Sequence, residues 1–98
     1  MIICKLPIRI YAAERVQARL LSILKQLVED GRKDAGNLSY DVYWQNLANL
    51  NHYGSVSTWR DRKSFESYER TAHTQAARTA LAPLLGALWD ERLYRVLD

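Results

Sequence analysis

Cysteine occurs once in this 98-residue sequence, as Cys4, which excludes an internal disulfide and any cysteine-rich zinc site. With only two histidines beside it, an ordinary structural zinc site is not expected either. Scarce cysteine fits a reducing compartment, so a cytoplasmic location is expected, and Cys4 itself reads as a small apolar residue of the first strand. No apolar run is long enough to span a membrane. The opening MIICKLPIRI alternates apolar and basic residues too soon for the apolar stretch of a signal peptide. A phosphate-cradling glycine loop, a His-Glu-x-x-His pair and a nucleophile elbow are all missing, which leaves several common catalytic chemistries without residues to carry them. A tract of one charge is missing too: 14 Lys and Arg against 11 Asp and Glu give +3, spread along the chain. Neither nucleic acid nor a membrane surface is therefore expected as a partner.

What is present reads as one folded domain over residues 1–98. Hydrophobic content of 48% with 10% aromatics excludes disorder. Six Tyr and three Trp against one Phe form a polar-tipped aromatic set, suited to pocket walls and interfaces as well as cores. The chain is short for an enzyme that must also enclose a ligand, so a homodimer is expected.

Ile2 to Ile10 reads as a strand, with Pro7 placing it at an edge or marking an irregularity, because proline donates nothing to a ladder. From Ala13 to Asp30 the residues Val16, Leu20, Ile23, Leu24 and Leu27 recur at helical spacing, and Gly31 stops the helix. Leu38 to Gln45 alternates Leu38, Tyr40, Val42 and Trp44 against polar partners, which predicts a second strand. The three asparagines between 46 and 51 predict a hairpin with a connection slightly longer than two residues. His52 to Arg60 forms a third strand, on which Tyr53, Ser55, Ser57 and Trp59 share a face. A helix capped by Asp61 or Ser64 runs to about Arg70, and Thr71 caps a further one that ends by Gly86. Trp89 to Leu97 alternates as a closing strand.

This order predicts an α+β, ferredoxin-like split βαβ fold with a four-stranded antiparallel sheet. One sheet face is left bare and carries Tyr, Val and Trp. Two copies packed sheet to sheet would cover it, as a dimeric α+β barrel.

The residues Asp34, Gly36, Tyr40 and Tyr43, then Trp59 and Asp61, then His73, follow one another in an order that resembles the antibiotic biosynthesis monooxygenase (ABM) family, whose members include quinol and anthrone monooxygenases. The resemblance covers about residues 34 to 97. Ser57 stands where that family usually has Glu, and Tyr68 takes the position of its first helical His. The resemblance implies a homodimeric barrel and a chemistry needing no metal or flavin, since a deprotonated phenol or anthrone can itself reduce oxygen.

That chemistry gives the candidate residues their roles. His73 is the proton shuttle, because an unperturbed imidazole titrates near neutrality. Tyr68 could donate to a substrate oxygen, and Trp59 could stack on a planar substrate. Tyr40, Trp44, Ser57 and Phe65 are the expected substrate-binding residues, in a pocket between sheet and helices, with a small aromatic molecule and O2 as partners. His52 and the run Arg60, Arg62, Lys63 read as loop and solvated turn.

Three alternatives stand beside this reading. A non-catalytic small-molecule-binding or stress-related dimer would use the same scaffold. An RNA-recognition module has the same element order, but Asn51 to Thr58 lacks the basic residue, the first Gly and two stacking aromatics of its third strand. Haem breakdown is disfavoured because Glu69, not His, lies ten residues after Trp59 and no Asn precedes Asn37.

Overall fold

The computed structural model describes residues 1–11, 13–86 and 90–97, and the side chains of residues 13 and 42–44 lie outside that description. The elements are β1 (Ile2–Arg9), α1 (Ala13–Gly31), β2 (Asn37–Asn46), β3 (Asn49–Trp59), α2 (Arg62–Glu69), α3 (Ala72–Leu81), a 3-10 turn at Ala82–Leu84, and β4 (Arg92–Arg95). They form one antiparallel sheet in the order β2-β3-β1-β4 with three helices, an α+β ferredoxin-like fold. The closing strand is shorter than the expected Trp89–Leu97: Trp89 lies outside the described residues, and Asp90, Glu91, Val96 and Leu97 are described but fall outside the strand, which runs over Arg92–Arg95.

Strand alternation decides which face is buried. On β1, Ile2, Cys4, Leu6 and Ile8 are buried while Lys5 and Arg9 are exposed. On β3, Tyr53, Ser55, Ser57 and Trp59 are all buried, as their spacing predicts. Against this face pack Val16, Leu20, Ile23, Leu24, Leu27 and Val28 of α1, Phe65 and Tyr68 of α2, and Ala77 and Leu81 of α3.

Pro7 belongs to a strand with neighbours on both sides, which corrects the edge-strand expectation. Among the described residues β4 pairs only with Ile2 to Lys5, so no described ladder pair on that side calls on Pro7 for the N–H it lacks. The hairpin is also tighter than expected. Only Leu47 and Ala48 separate β2 from β3, and the Asn46 side chain accepts from Ala48 N (2.8 Å) and Asn49 N (3.2 Å), doing the work a glycine would otherwise do. On β2 the expected single apolar face is broken: register shifts occur between Asn37 and Ser39 and between Val42 and Trp44, so Leu38 is 57% exposed while Tyr40 is buried.

The two helix starts follow the expected caps. Asp61 accepts from Ser64 N at 2.8 Å, and Thr71 Oγ1 accepts from Thr74 N at 3.3 Å.

Candidate functional site

Four aromatic side chains meet where β2, β3 and α2 converge. Trp59 ends β3 on its inner face, and Phe65 and Tyr68, three apart on α2, present the same helix face to it. Ring centroids are 4.6 Å apart for Trp59 and Tyr68, 6.0 Å for Trp59 and Phe65, and 5.9 Å for Tyr40 and Tyr68. None of the four is more than 4% exposed. Close approach of Tyr40 depends on the end of α1, since a Cβ on Gly31 would lie 2.7 Å from its ring.

The polar tips inside this cage are paired with each other. Trp59 Nε1–H donates to Ser57 Oγ at 2.9 Å, and the Tyr40 and Tyr68 hydroxyls share a 2.6 Å hydrogen bond. Burial pushes the Tyr68 phenol up to about 12 and Tyr40 higher still, the neighbouring Tyr68 adding to the latter shift. Both stay protonated near neutral pH, so neither is a base. Burial, followed by the charge of Glu91, likewise raises the Cys4 thiol to about 12, which removes it as a nucleophile.

His73 lies at the second position of α3, 6.5 Å from Tyr68 between ring centroids. Its Nε2–H donates to Asp34 Oδ2 at 2.7 Å, with the two side chains 30% and 19% exposed. Asp34 sits in the turn between α1 and β2, and that turn is well held: Asp34 N–H donates to Gly31 O (3.1 Å), Asn37 N–H to Asp34 O (3.2 Å) and Arg60 N–H to Gly36 O (2.7 Å). Gly36 has φ +83°, and any Cβ there would run into the Ser64 hydroxyl.

Two surface depressions flank this pair. A cleft of about 300 Å³ is bordered by Asp34, Lys63, Ser67 and Tyr68 among others. A groove of about 390 Å³ between α1 and α3 is bordered by Ile23, Leu27, Asp30, His73, Ala76 and Ala80 among others. The Asp34–His73 pair is thus the partition between them.

The structure therefore brings Tyr40, Ser57, Trp59, Phe65 and Tyr68 into one buried cluster, with His73 at its edge. Trp44 is placed by register alone, opposite Gly54; its side chain lies outside the described residues. His52 pairs with Arg9 on the opposite sheet face, and the basic turn is solvated, Arg60 beside Asp61 and Arg62 beside Glu66. Sequence reasoning named Asp34 only as a motif position. Its pairing with His73 spans 39 residues and leaves no local signal. Also missed was a half-buried ion cluster in which Arg78 Nη2 meets Glu91 at 2.6 Å and Glu69 at 3.5 Å. No group of three or more His, Cys, Asp and Glu among the described residues is arranged to hold a metal ion.

The family described as antibiotic biosynthesis monooxygenase matches residues 5–80. Among curated proteins none matches the chain. Similar solved structures include a conserved protein from Methanosarcina mazei Go1 (22% identity, TM-score 0.87, covering 96% of this chain and 90% of that one). Rv0793 from Mycobacterium tuberculosis is 16% identical with a TM-score of 0.88 over 99% of this chain and 95% of that one. SnoaB, a cofactor-independent oxygenase from Streptomyces nogalater, is 14% identical with a TM-score of 0.84 over 99% and 93%. At these identities the likeness establishes the fold.

Proposed function

Because the chain belongs to the antibiotic biosynthesis monooxygenase family, we propose that it is a cofactor-independent monooxygenase that oxidises a small aromatic quinol or anthrone-type substrate with O2. Family membership supports the monooxygenase class, and the observation that carries the finer reading is the His73–Asp34 pair beside the aromatic cage. An imidazole whose Nε2–H is engaged by a carboxylate keeps Nδ1 as a proton acceptor, and among the described residues Nδ1 has no hydrogen-bond partner.

In the proposed reaction the acidic proton of the substrate passes to His73. The resulting anion gives electrons to O2, forms a C–O bond, and loses water from the hydroperoxide. When a methylene becomes a carbonyl, the substrate supplies four electrons; one oxygen atom stays in the product and the other leaves as water. The balance closes without metal or flavin. Tyr68 and Trp59 stand behind His73, Tyr68 as a protonated hydroxyl and Trp59, fully buried, as the ring that seats Tyr68. Tyr40, Ser57 and Phe65 hold those two rings in place, and Trp44 of β2 is kept as a proposed substrate-binding residue by its strand position alone. The substrate ring is seated in the α1–α3 groove that His73 borders, whose floor of Ile23, Leu27 and small alanines admits a flat molecule. A homodimer acting in the cytoplasm completes the proposal.

Oxygen-electrode measurements on a panel of quinols and anthrones, with no metal or flavin added, test it. Consumption above the buffer rate is expected for at least one compound. No rate for any of them would turn the reading to non-catalytic small-molecule binding. One observation favours that second reading: at the two positions where ionisable Glu and His are usual in the family, the hydroxyls of Ser57 and Tyr68 are already bonded to Trp59 and Tyr40.

A further inference from the structure

We propose that Asp34 is a positioning residue for His73, fixing it as the Nε2–H tautomer so that Nδ1 is the atom that accepts the proton. The inference rests on the reading of His73 as the base, and its argument is geometric.

An isolated imidazole rotates about two torsions and exchanges its proton between two nitrogens. A bond to a carboxylate removes both freedoms, because a carboxylate only accepts and the facing nitrogen must carry the hydrogen. At 2.7 Å the Nε2 to Asp34 Oδ2 contact has the length of a charge-assisted bond. The Tyr68 ring is a neighbour of the imidazole, 6.5 Å away between centroids and inclined to it by 52°. Asp34 is itself immobilised from three directions, by Gly31 O beneath its N–H, by the Asn37 N–H on its carbonyl, and by the Gly36 turn fastened to Arg60 and seated on Ser64.

The two depressions separate the pair's duties. Asp34 borders the cleft and His73 borders the α1–α3 groove, so a ligand in the groove meets the imidazole and not the carboxylate. With Nε2 occupied, Nδ1 is the nitrogen left for that ligand. This order resembles the logic of an acid that orients a histidine without itself taking the proton. Here the orienting bond falls on Nε2, so the working nitrogen is the one nearer the backbone.

Two readouts test the proposal on the folded 98-residue chain, one of them independent of any substrate. Long-range nitrogen–proton correlation spectra of the neutral imidazole should show His73 protonated at Nε2, together with a downfield, exchange-protected ring proton. That proton should disappear in Asp34→Ala and persist in Asp34→Glu. Protonation at Nδ1, or a ring proton exchanging with solvent as freely in the native chain as in Asp34→Ala, would overturn the assignment even if no quinol is oxidised. With an oxidised substrate in hand, Asp34→Ala should lower kcat about tenfold with KM nearly unchanged, and Asp34→Glu should recover most of it. Equal kcat in the native and Asp34→Ala chains would show that the bond is structural only. Circular dichroism of each variant separates these outcomes from unfolding.

Discussion

At the residue scale the aromatic cage and the dyad differ in what they can lose. His73 is 30% exposed and contributes little apolar burial, so His73→Ala should keep the fold, with a modest fall in melting temperature from the unpaired Asp34 carboxylate, while lowering turnover by about two orders of magnitude or more, the range of a lost general base. Unchanged turnover in that variant would remove His73 from the mechanism. Ser57 is the opposite case. It is 3% exposed and is the acceptor for the Trp59 indole, so Ser57→Ala leaves a buried N–H without a partner and should cost about 1–3 kcal/mol in a urea titration. A loss under a few tenths of a kcal/mol would mean that the indole finds another acceptor. The sequence made Ser57 visible as an exception to a pattern, and the structure gives it a specific task two residues from Trp59 on the same strand face.

At the element scale, the turn between α1 and β2 couples fold to site. Gly36 combines φ +83° with a seat against Ser64, so Gly36→Ala must both strain the backbone and displace α2. A loss of more than 1 kcal/mol is expected, along with loss of the protected His73 ring proton, since Asp34 moves with the turn; a ring proton that survives would uncouple the two. Alternation and helical spacing, which are local, were enough to read β1, α1, β3 and the Thr71 cap from the sequence. Leu38 was misread because a one-residue register shift reverses the alternation and nothing in the composition of β2 marks it. Of the two readings of Pro7, the edge strand fails because strand neighbours are set by topology, while among the described residues the β4 ladder stops at Lys5, short of the proline. The Asp34–His73 contact was illegible for the same reason, being a product of how α1 and α3 end up side by side.

At the scale of the whole molecule, burial of ionisable groups sets the alkaline limit, and the second sheet face is the proposed seat of assembly. Cys4 rises from 9.0 to about 12 and Tyr68 from 10.0 to about 12, each chiefly through burial, so in this window the unfolded chain releases protons that the folded chain retains. Stability is therefore fully present below pH 9.0 and declines as pH rises from there toward about 12, and Cys4→Ala should delay the onset of that decline toward pH 10.0 in denaturation midpoints taken across the range. The proposed homodimer would form through the other face of the sheet, where Ile3 pairs with Thr58 and Tyr94, and Lys5 with Val56 and Arg92. Tyr94 there is 43% exposed with the Lys5 ammonium 5.4 Å from its ring centre, and Val56 is half-buried, so the face mixes apolar and basic groups across its middle strands. Two such faces can pack only if the cations find partners at the rim, and Asp41, in register with Val56, supplies an acid at that level of the sheet. Sedimentation at micromolar concentration should then give twice the chain mass of 11.4 kDa, and Val56→Arg, which adds a cation at the centre without touching the helical side, should return it to one chain. A native mass of one chain would reject the paired-sheet arrangement, and with it any role for a second copy in closing the site.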